Sequence, residues 1–179
     1  MTNNRVKEYE YYPLVKEALE GEFKSKGYYT DFEITGHPRK KNLPSRFLFK
    51  NNPLQDYIRV LPTPDVMGLV WIQQYDIKLV IAEFKCSPRF RDIFQTKGYD
   101  ELFDSDHTFL VSAESVSKSS QSTIAFIRNN PQLLKTKSGI SEIYIYFLHK
   151  TTEGIITLAQ RADEIDVLPS PSTRLFLSN

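Results

Sequence analysis

The stretch 66–85 constrains the fold more than any other. Residues 66–73 and 77–85 are rich in branched and aromatic apolar side chains, and only Gln74 to Asp76 separates them. A gap that short leaves room for a turn and nothing else, so the two runs predict adjacent strands of one hairpin. The second contains Leu79-Val80-Ile81-Ala82, the signature of a buried strand, and ends on Glu83-Phe84-Lys85. Side chains alternate along a strand, so Glu83 and Lys85 share a face and Phe84 takes the other. Asp65, behind Pro64, stands at the start of the preceding strand and is placed to join them. Two acids and a lysine converging at a sheet edge make a site for a hard divalent cation.

The rest of the chain surrounds this hairpin with alternating elements. From about Arg5 to Lys26 the residues Tyr11, Leu14, Val15, Ala18, Leu19 and Phe23 recur at helical spacing, with Gly27 as the stop. Pro13 within that pattern means either that the helix proper begins near Tyr12 or that it is kinked early. Tyr28 to Ile34 alternates like a strand. Residues 36–56 hold Gly36, Pro38, Pro44, Pro53 and the cluster Arg39-Lys40-Lys41, and read as an irregular insertion. A strand is expected at about 57–61. After the hairpin, Arg89 to Phe103 reads as a helix with Ile93, Phe94 and Leu102 inward, and Thr108 to Ser112 as a short buried strand. Ser119 to Leu134 reads as a helix interrupted by Pro131. Ile143 to Leu148 and Ile155 to Leu158 are late strands about a turn at 151–154, and a Ser/Pro-rich tail begins near 169. This order predicts a single α/β domain over 1–179, built on one central mixed sheet flanked by helices.

Bulk properties narrow the function classes. With 23 basic against 22 acidic residues there is no global positive field of the kind that coats nucleic acid, although a local basic groove remains open. The lone Cys86 excludes an internal disulfide, and no Cys/His spacing suits zinc. The seven glycines are scattered singly, so neither a P-loop nor a dinucleotide fingerprint is present. His37, His107 and His149 have no neighbours that would build a nucleophile–base pair. Without a signal-peptide core or a run of about 18 apolar residues, the expectation is a cytoplasmic protein with no membrane partner.

The tripeptide Glu-x-Lys has little specificity by itself. A second copy, Glu22-Phe23-Lys24, falls inside the first helix, where it reads as surface charge. Glu83 and Lys85 could likewise be a solvated ion pair at a strand end. Context separates the two copies: a Pro-Asp one hairpin upstream, and Gln95 and Tyr99 four apart on one face of the following helix. The order Pro64-Asp65, Glu83-Phe84-Lys85, Gln95-x-x-x-Tyr99 resembles the PD-(D/E)XK nuclease superfamily, in particular its RecB-like branch with a Gln-x-x-x-Tyr helix. The opening Glu8-Tyr-Glu-Tyr-Tyr-Pro-Leu-Val15 is similar to the first helix of small members. The resemblance covers about Glu8 to Ser112 and departs from the smallest members in the long insertion at 36–56.

What the resemblance implies is a restriction-endonuclease-like three-layer fold and a metal-dependent DNA nuclease, hydrolysing phosphodiester bonds in repair, recombination or defence. By position, Asp65 and Glu83 with the backbone carbonyl of Phe84 would bind Mg²⁺ or Mn²⁺. Lys85 would orient or deprotonate the attacking water and stabilise the transition state. Glu8 would be a further ligand, and Gln95 and Tyr99 would brace the site or touch the scissile strand. Taken without the resemblance, Glu8 reads as a solvated residue at a helix start, and Gln95 with Tyr99 as a hydrogen-bonding helix face. Arg89 and Arg91, directly after the lysine, are candidate phosphate contacts, and so are Arg39, Lys40, Lys41 and Arg46. Junction-cutting members of this fold are dimers, which implies a homodimer with the aromatic first helix as one candidate interface. The alternative function is a catalytically inactive nuclease-fold module that binds DNA or protein.

Overall fold

The computed structural model describes residues 7–36, 43–48, 62–113, 118–136, 142–150, 152–154 and 156–159. The expected strand at 57–61, the basic cluster Arg39-Lys40-Lys41, His37 and the tail from 169 lie outside the described residues. Among those described, six strands form one sheet in sequential order: β1 (Tyr29–Ile34), β2 (Val66–Gln73), β3 (Asp76–Lys85), β4 (His107–Ser112), β5 (Ile143–Lys150) and β6 (Ile156–Ala159). The first three are antiparallel, β3, β4 and β5 run parallel, and β6 returns antiparallel to β5. Parallel neighbours need crossovers. These are supplied by α2 (Phe90–Phe103) between β3 and β4, and by α3 (Lys118–Asn129) between β4 and β5.

The strand alternation sorts the core into two faces. Val80, Ala82 and Phe84 point toward α1 (Tyr12–Lys24), where they meet Tyr12, Val15, Ala18, Leu19 and Phe23. Leu79 and Ile81 point the other way and pack with Met67, Leu69, Tyr99 and Phe103. Ile127 of α3 closes on Leu110, Ile93 and Ile143 on that same side. The result is an α/β arrangement of three layers, with α1 on one face and α2 and α3 on the other.

Pro13 sits in the first turn of α1, so the helix proper begins at Tyr12, and Glu8–Glu10 forms a separate 3₁₀ turn before it. Proline is tolerated there because the first helical N–H groups have no intrahelical partner. The decoy Glu22-Phe23-Lys24 is helical: Phe23 is buried, while Glu22 and Lys24 pair along the helix with Lys26 and Glu20. The aromatic side chains of this segment serve the protein's own core, Tyr12 buried within it and Tyr9 and Tyr11 packed against it.

One orientation expected from the sequence is wrong. Phe94 faces outward and is 61% exposed, while the buried side of α2 carries Asp92, Ile93, Thr96, Tyr99, Asp100 and Phe103. Adjacent residues lie about 100° apart on a helix, so with Asp92 and Ile93 both on the buried arc Phe94 is turned out of it. Buried polar groups tip the balance. Asp92 accepts the Arg89 N–H, Thr96 donates to the Asp92 carbonyl, and Asp100 receives the Ser105 and Thr108 hydroxyls.

Candidate metal and phosphoryl-transfer site

The β2/β3 register pairs Val66 with Ala82 and Met67 with Ile81. One step further along, Asp65 stands level with Glu83, whose side chain meets α2 through Gln95. Both carboxylates are buried, at 5% and 2% exposure. Glu83 and Lys85 therefore do not form a solvated strand-end pair. Lys85 Nζ donates to Glu83 Oε1 at 2.6 Å, with the lysine side chain only 16% exposed.

Each carboxylate is held from several sides. Asp65 Oδ2 accepts the Phe84 N–H at 2.8 Å, and the Tyr12 hydroxyl bonds to the same carboxylate. Glu83 Oε1 also accepts the amide of Gln95 at 2.8 Å, and that amide donates to the Tyr99 hydroxyl at 2.9 Å. Glu8 enters from the turn before α1: its Oε2 lies 3.6 Å from Lys85 Nζ, and its Oε1 accepts the Cys86 N–H at 3.3 Å. The Phe84 ring points to the opposite face and stacks on Tyr11 with centroids 4.7 Å apart, which fixes the peptide whose N–H holds Asp65.

The structure thus brings together Glu8, Asp65, Glu83, Phe84, Lys85, Gln95 and Tyr99. Arg89 and Arg91 are exposed at the start of α2, beyond this cluster, and Arg91 pairs with Asp92. Arg46 goes elsewhere. It bridges Asp31 and Glu33 on β1 and lies over the Phe47 ring.

Burial dominates the electrostatics. It pushes Glu83 well above the ordinary carboxylate range, to about 8, with the neighbouring Asp65 charge adding to the effect and Lys85 opposing it. Burial likewise raises Asp65, to about 6, against the hydrogen bonds from Tyr12 and Phe84. Burial pulls Lys85 down, but the carboxylate of Glu83 outweighs it and holds the ammonium above its ordinary value. Two acids that resist ionisation side by side are a place where added positive charge is favoured.

Glu83 Oε2 is buried and has no hydrogen-bond partner among the described residues. No group of three or more His, Cys, Asp or Glu side chains among the described residues is arranged to hold a metal ion. Two carboxylates nevertheless suit Mg²⁺, which keeps most of its waters and takes few protein ligands. A hard oxygen set with one idle carboxylate oxygen fits such an ion, so Asp65, Glu83 and the Phe84 carbonyl remain the residues that could hold it.

Two contributors escaped the sequence reading. Gly36 closes over Asp65: a Cβ there would lie 2.5 Å from Asp65 Oδ1 and 2.6 Å from its Cα. The Thr35 and Gly36 N–H groups both donate to the Asp65 carbonyl, at 3.0 and 3.1 Å, and the Thr35 hydroxyl donates to the Pro64 carbonyl at 2.6 Å. The end of β1 is thus the clamp that places Pro64-Asp65. The only sequence signal was a glycine just after a strand. Ser112, level with Lys85 on the neighbouring strand, has a buried hydroxyl with no hydrogen-bond partner among the described residues. The parallel pairing that puts it there could not be read locally.

No family model matches the chain, and neither a curated protein nor a solved structure shows significant similarity to it.

Proposed function

We propose that the protein is a metal-dependent DNA nuclease that hydrolyses phosphodiester bonds through Asp65, Glu83 and Lys85, by the chemistry of PD-(D/E)XK enzymes. The observation that carries this reading is the pairing of two buried carboxylates with raised affinity for protons, one of them with an idle oxygen, beside a buried lysine. A purely structural ion pair has no need of a second acid at the same level of the sheet. That acid adds to the unfavourable charge at Glu83.

Asp65, Glu83 and the Phe84 carbonyl would hold Mg²⁺ or Mn²⁺. Such an ion, when bound, lowers the pKa of water and offsets phosphate charge. Lys85 enters as an ammonium, because Glu83 favours its charged form. It therefore orients a water or phosphate oxygen by donating to it, and stabilises charge that develops there. Gln95 holds Glu83 Oε1 in place, so that Oε2 is the oxygen left to face a ligand. Glu8 keeps Lys85 directed into the site, and Tyr12 keeps Asp65 ionisable by donating to it.

The test is cleavage of labelled single-stranded, duplex and branched DNA with Mg²⁺, Mn²⁺ or chelator, alongside Lys85→Ala and Glu83→Ala. Cleavage is expected only with a divalent ion, and each variant should lose roughly a hundredfold or more. A wild type that cuts nothing, or variants that cut as well as wild type, would refute the proposal. Divalent-ion binding that is lost in Asp65→Ala, with no cleavage of any substrate, would favour the binding-only module.

A further inference from the structure

The outer face of α2 carries an unusual set of side chains. Phe94 is 61% exposed, and Phe90, one turn before it, is 39% exposed. Phe90 meets the half-exposed Phe126 of α3 edge to face, with ring centroids 5.1 Å apart. Phe94 stands one turn along α2 from that pair, and it directly precedes Gln95, whose amide holds Glu83.

Cations flank these rings. Arg89 and Arg91 are exposed, Arg91 with 77% of its side chain in solvent, and Lys97 is half-buried one turn after Phe94. The acid nearest in sequence, Asp92, is buried and engaged by the Arg89 N–H and by Arg91. Glu101, two turns beyond Phe94, is the exposed acid farther along the helix.

Large apolar side chains in solvent are unfavourable unless something covers them. Exposed rings interleaved with arginines match one ligand chemistry well. Every base presents a π-face to stack on an aromatic ring, and the intervening phosphates attract guanidinium groups. A closed duplex hides its base faces and gains nothing from a ring.

We propose that this face of α2 is a stacking platform for unpaired nucleotides, which delivers DNA to the Asp65–Glu83 pair as a single strand. The proposal rests on the nuclease reading of that pair and specifies its substrate class. A base lies on Phe94, the adjoining phosphates lie against Arg89 and Arg91, and the strand passes Gln95 into the site.

Binding is read by fluorescence anisotropy in chelator, where no cleavage occurs, using a labelled oligothymidylate and a blunt duplex of equal length. Wild type should prefer the single strand. Phe94→Ala should weaken that binding roughly tenfold, the effect of losing one stacked base, and leave the duplex unchanged. Phe94→Tyr should restore it. Because Phe94 is exposed, its truncation should leave the melting temperature unaltered, which separates lost contact from lost fold. Equal affinity for duplex and single strand, or an unaltered Phe94→Ala variant, overturns the proposal. So does a wild-type dimer in sedimentation that Phe94→Ala dissociates, because the rings would then cover a second copy. Cleavage assays separate the two readings. Metal-dependent duplex cutting indifferent to Phe94→Ala keeps the nuclease and removes the platform, whereas Phe94-dependent binding with no cleavage does the reverse.

Discussion

Gly36→Ala is the sharpest perturbation of the site, because it alters no acid, no lysine and no ring. The new Cβ would fall 2.5 Å from Asp65 Oδ1, 2.6 Å from Asp65 Cα and 3.2 Å from the Pro64 carbonyl oxygen. Comfortable contact between such atoms begins near 3.5 Å, so the two segments must separate by roughly 1 Å. The yielding atoms include backbone, not only the flexible end of a side chain. Moving apart stretches the hydrogen bonds from Thr35 and Gly36 to the Asp65 carbonyl and shifts the carboxylate relative to Glu83. Overpacking of this kind costs about 1–3 kcal/mol, or several degrees of melting temperature for a chain of this size. A reacting group displaced by roughly 1 Å loses on the order of a hundredfold in rate. The assays are urea unfolding, Mn²⁺ titration calorimetry and the cleavage reaction. Gly21→Ala is the control, since a Cβ there meets nothing within 4 Å, and it should stabilise α1 by up to about 1 kcal/mol. If Gly36→Ala unfolds, binds Mn²⁺ and cuts like wild type, the idea that β1 clamps Asp65 is wrong.

Three further outcomes are expected. Glu83 titrates higher in the folded chain than in the unfolded one, so its favourable contribution is complete below the ordinary carboxylate range and is lost as pH rises toward about 8. Without divalent ions, urea unfolding should show stability falling over that window by on the order of 1 kcal/mol per pH unit, with Glu83→Gln flattening the slope. An identical slope in both proteins contradicts the raised Glu83. Tyr12→Phe removes a hydrogen bond that lowers the Asp65 pKa; calorimetry near neutral pH should then show Mn²⁺ affinity reduced about tenfold or more, the value of one hydrogen bond to a charged group. Asp100→Ala strips the acceptor from the buried Ser105 and Thr108 hydroxyls and should cost about 2 kcal/mol or more in urea unfolding. Unchanged stability would mean those hydroxyls find other partners.

Much of this arrangement was legible because its signals are local. Two apolar runs on either side of Gln74–Asp76 placed β2 and β3 within a residue or so, and the alternation of side chains along a strand put Glu83 and Lys85 on one face. Helix periodicity located α1, and of the two alternatives that Pro13 left open, a start near Tyr12 or an early kink, the structure has the first. Hydrophobicity alone points Phe94 inward, whereas Asp100 claims the inward face through the Ser105 and Thr108 hydroxyls beyond the helix. Gly36 was invisible for a related reason. Its role depends on Asp65, 29 positions away, approaching closely enough to forbid a side chain. The Asp65–Glu83 alignment could be guessed from the hairpin, but the idle Glu83 oxygen and the depth of burial depend on α2 closing over the sheet.

The wide spacing of these residues along the chain has a consequence for assembly. The β2/β3 hairpin closes over a handful of residues, so Asp65 and Glu83 can meet early, at little entropic cost. Pairing Ile34 with Val66 requires the whole intervening segment to be looped out, and Thr35 and Gly36 engage Asp65 only once it is. The acids should therefore come together before their clamp does, and a nascent or half-folded chain would hold them without the contacts that fix Asp65. Pulse-labelled hydrogen exchange should show protection at Phe84 before Gly36. Simultaneous protection would mean that the sheet forms in one step. On the proposed function, the ability to cut nucleic acid would then be gained only once that clamp has closed.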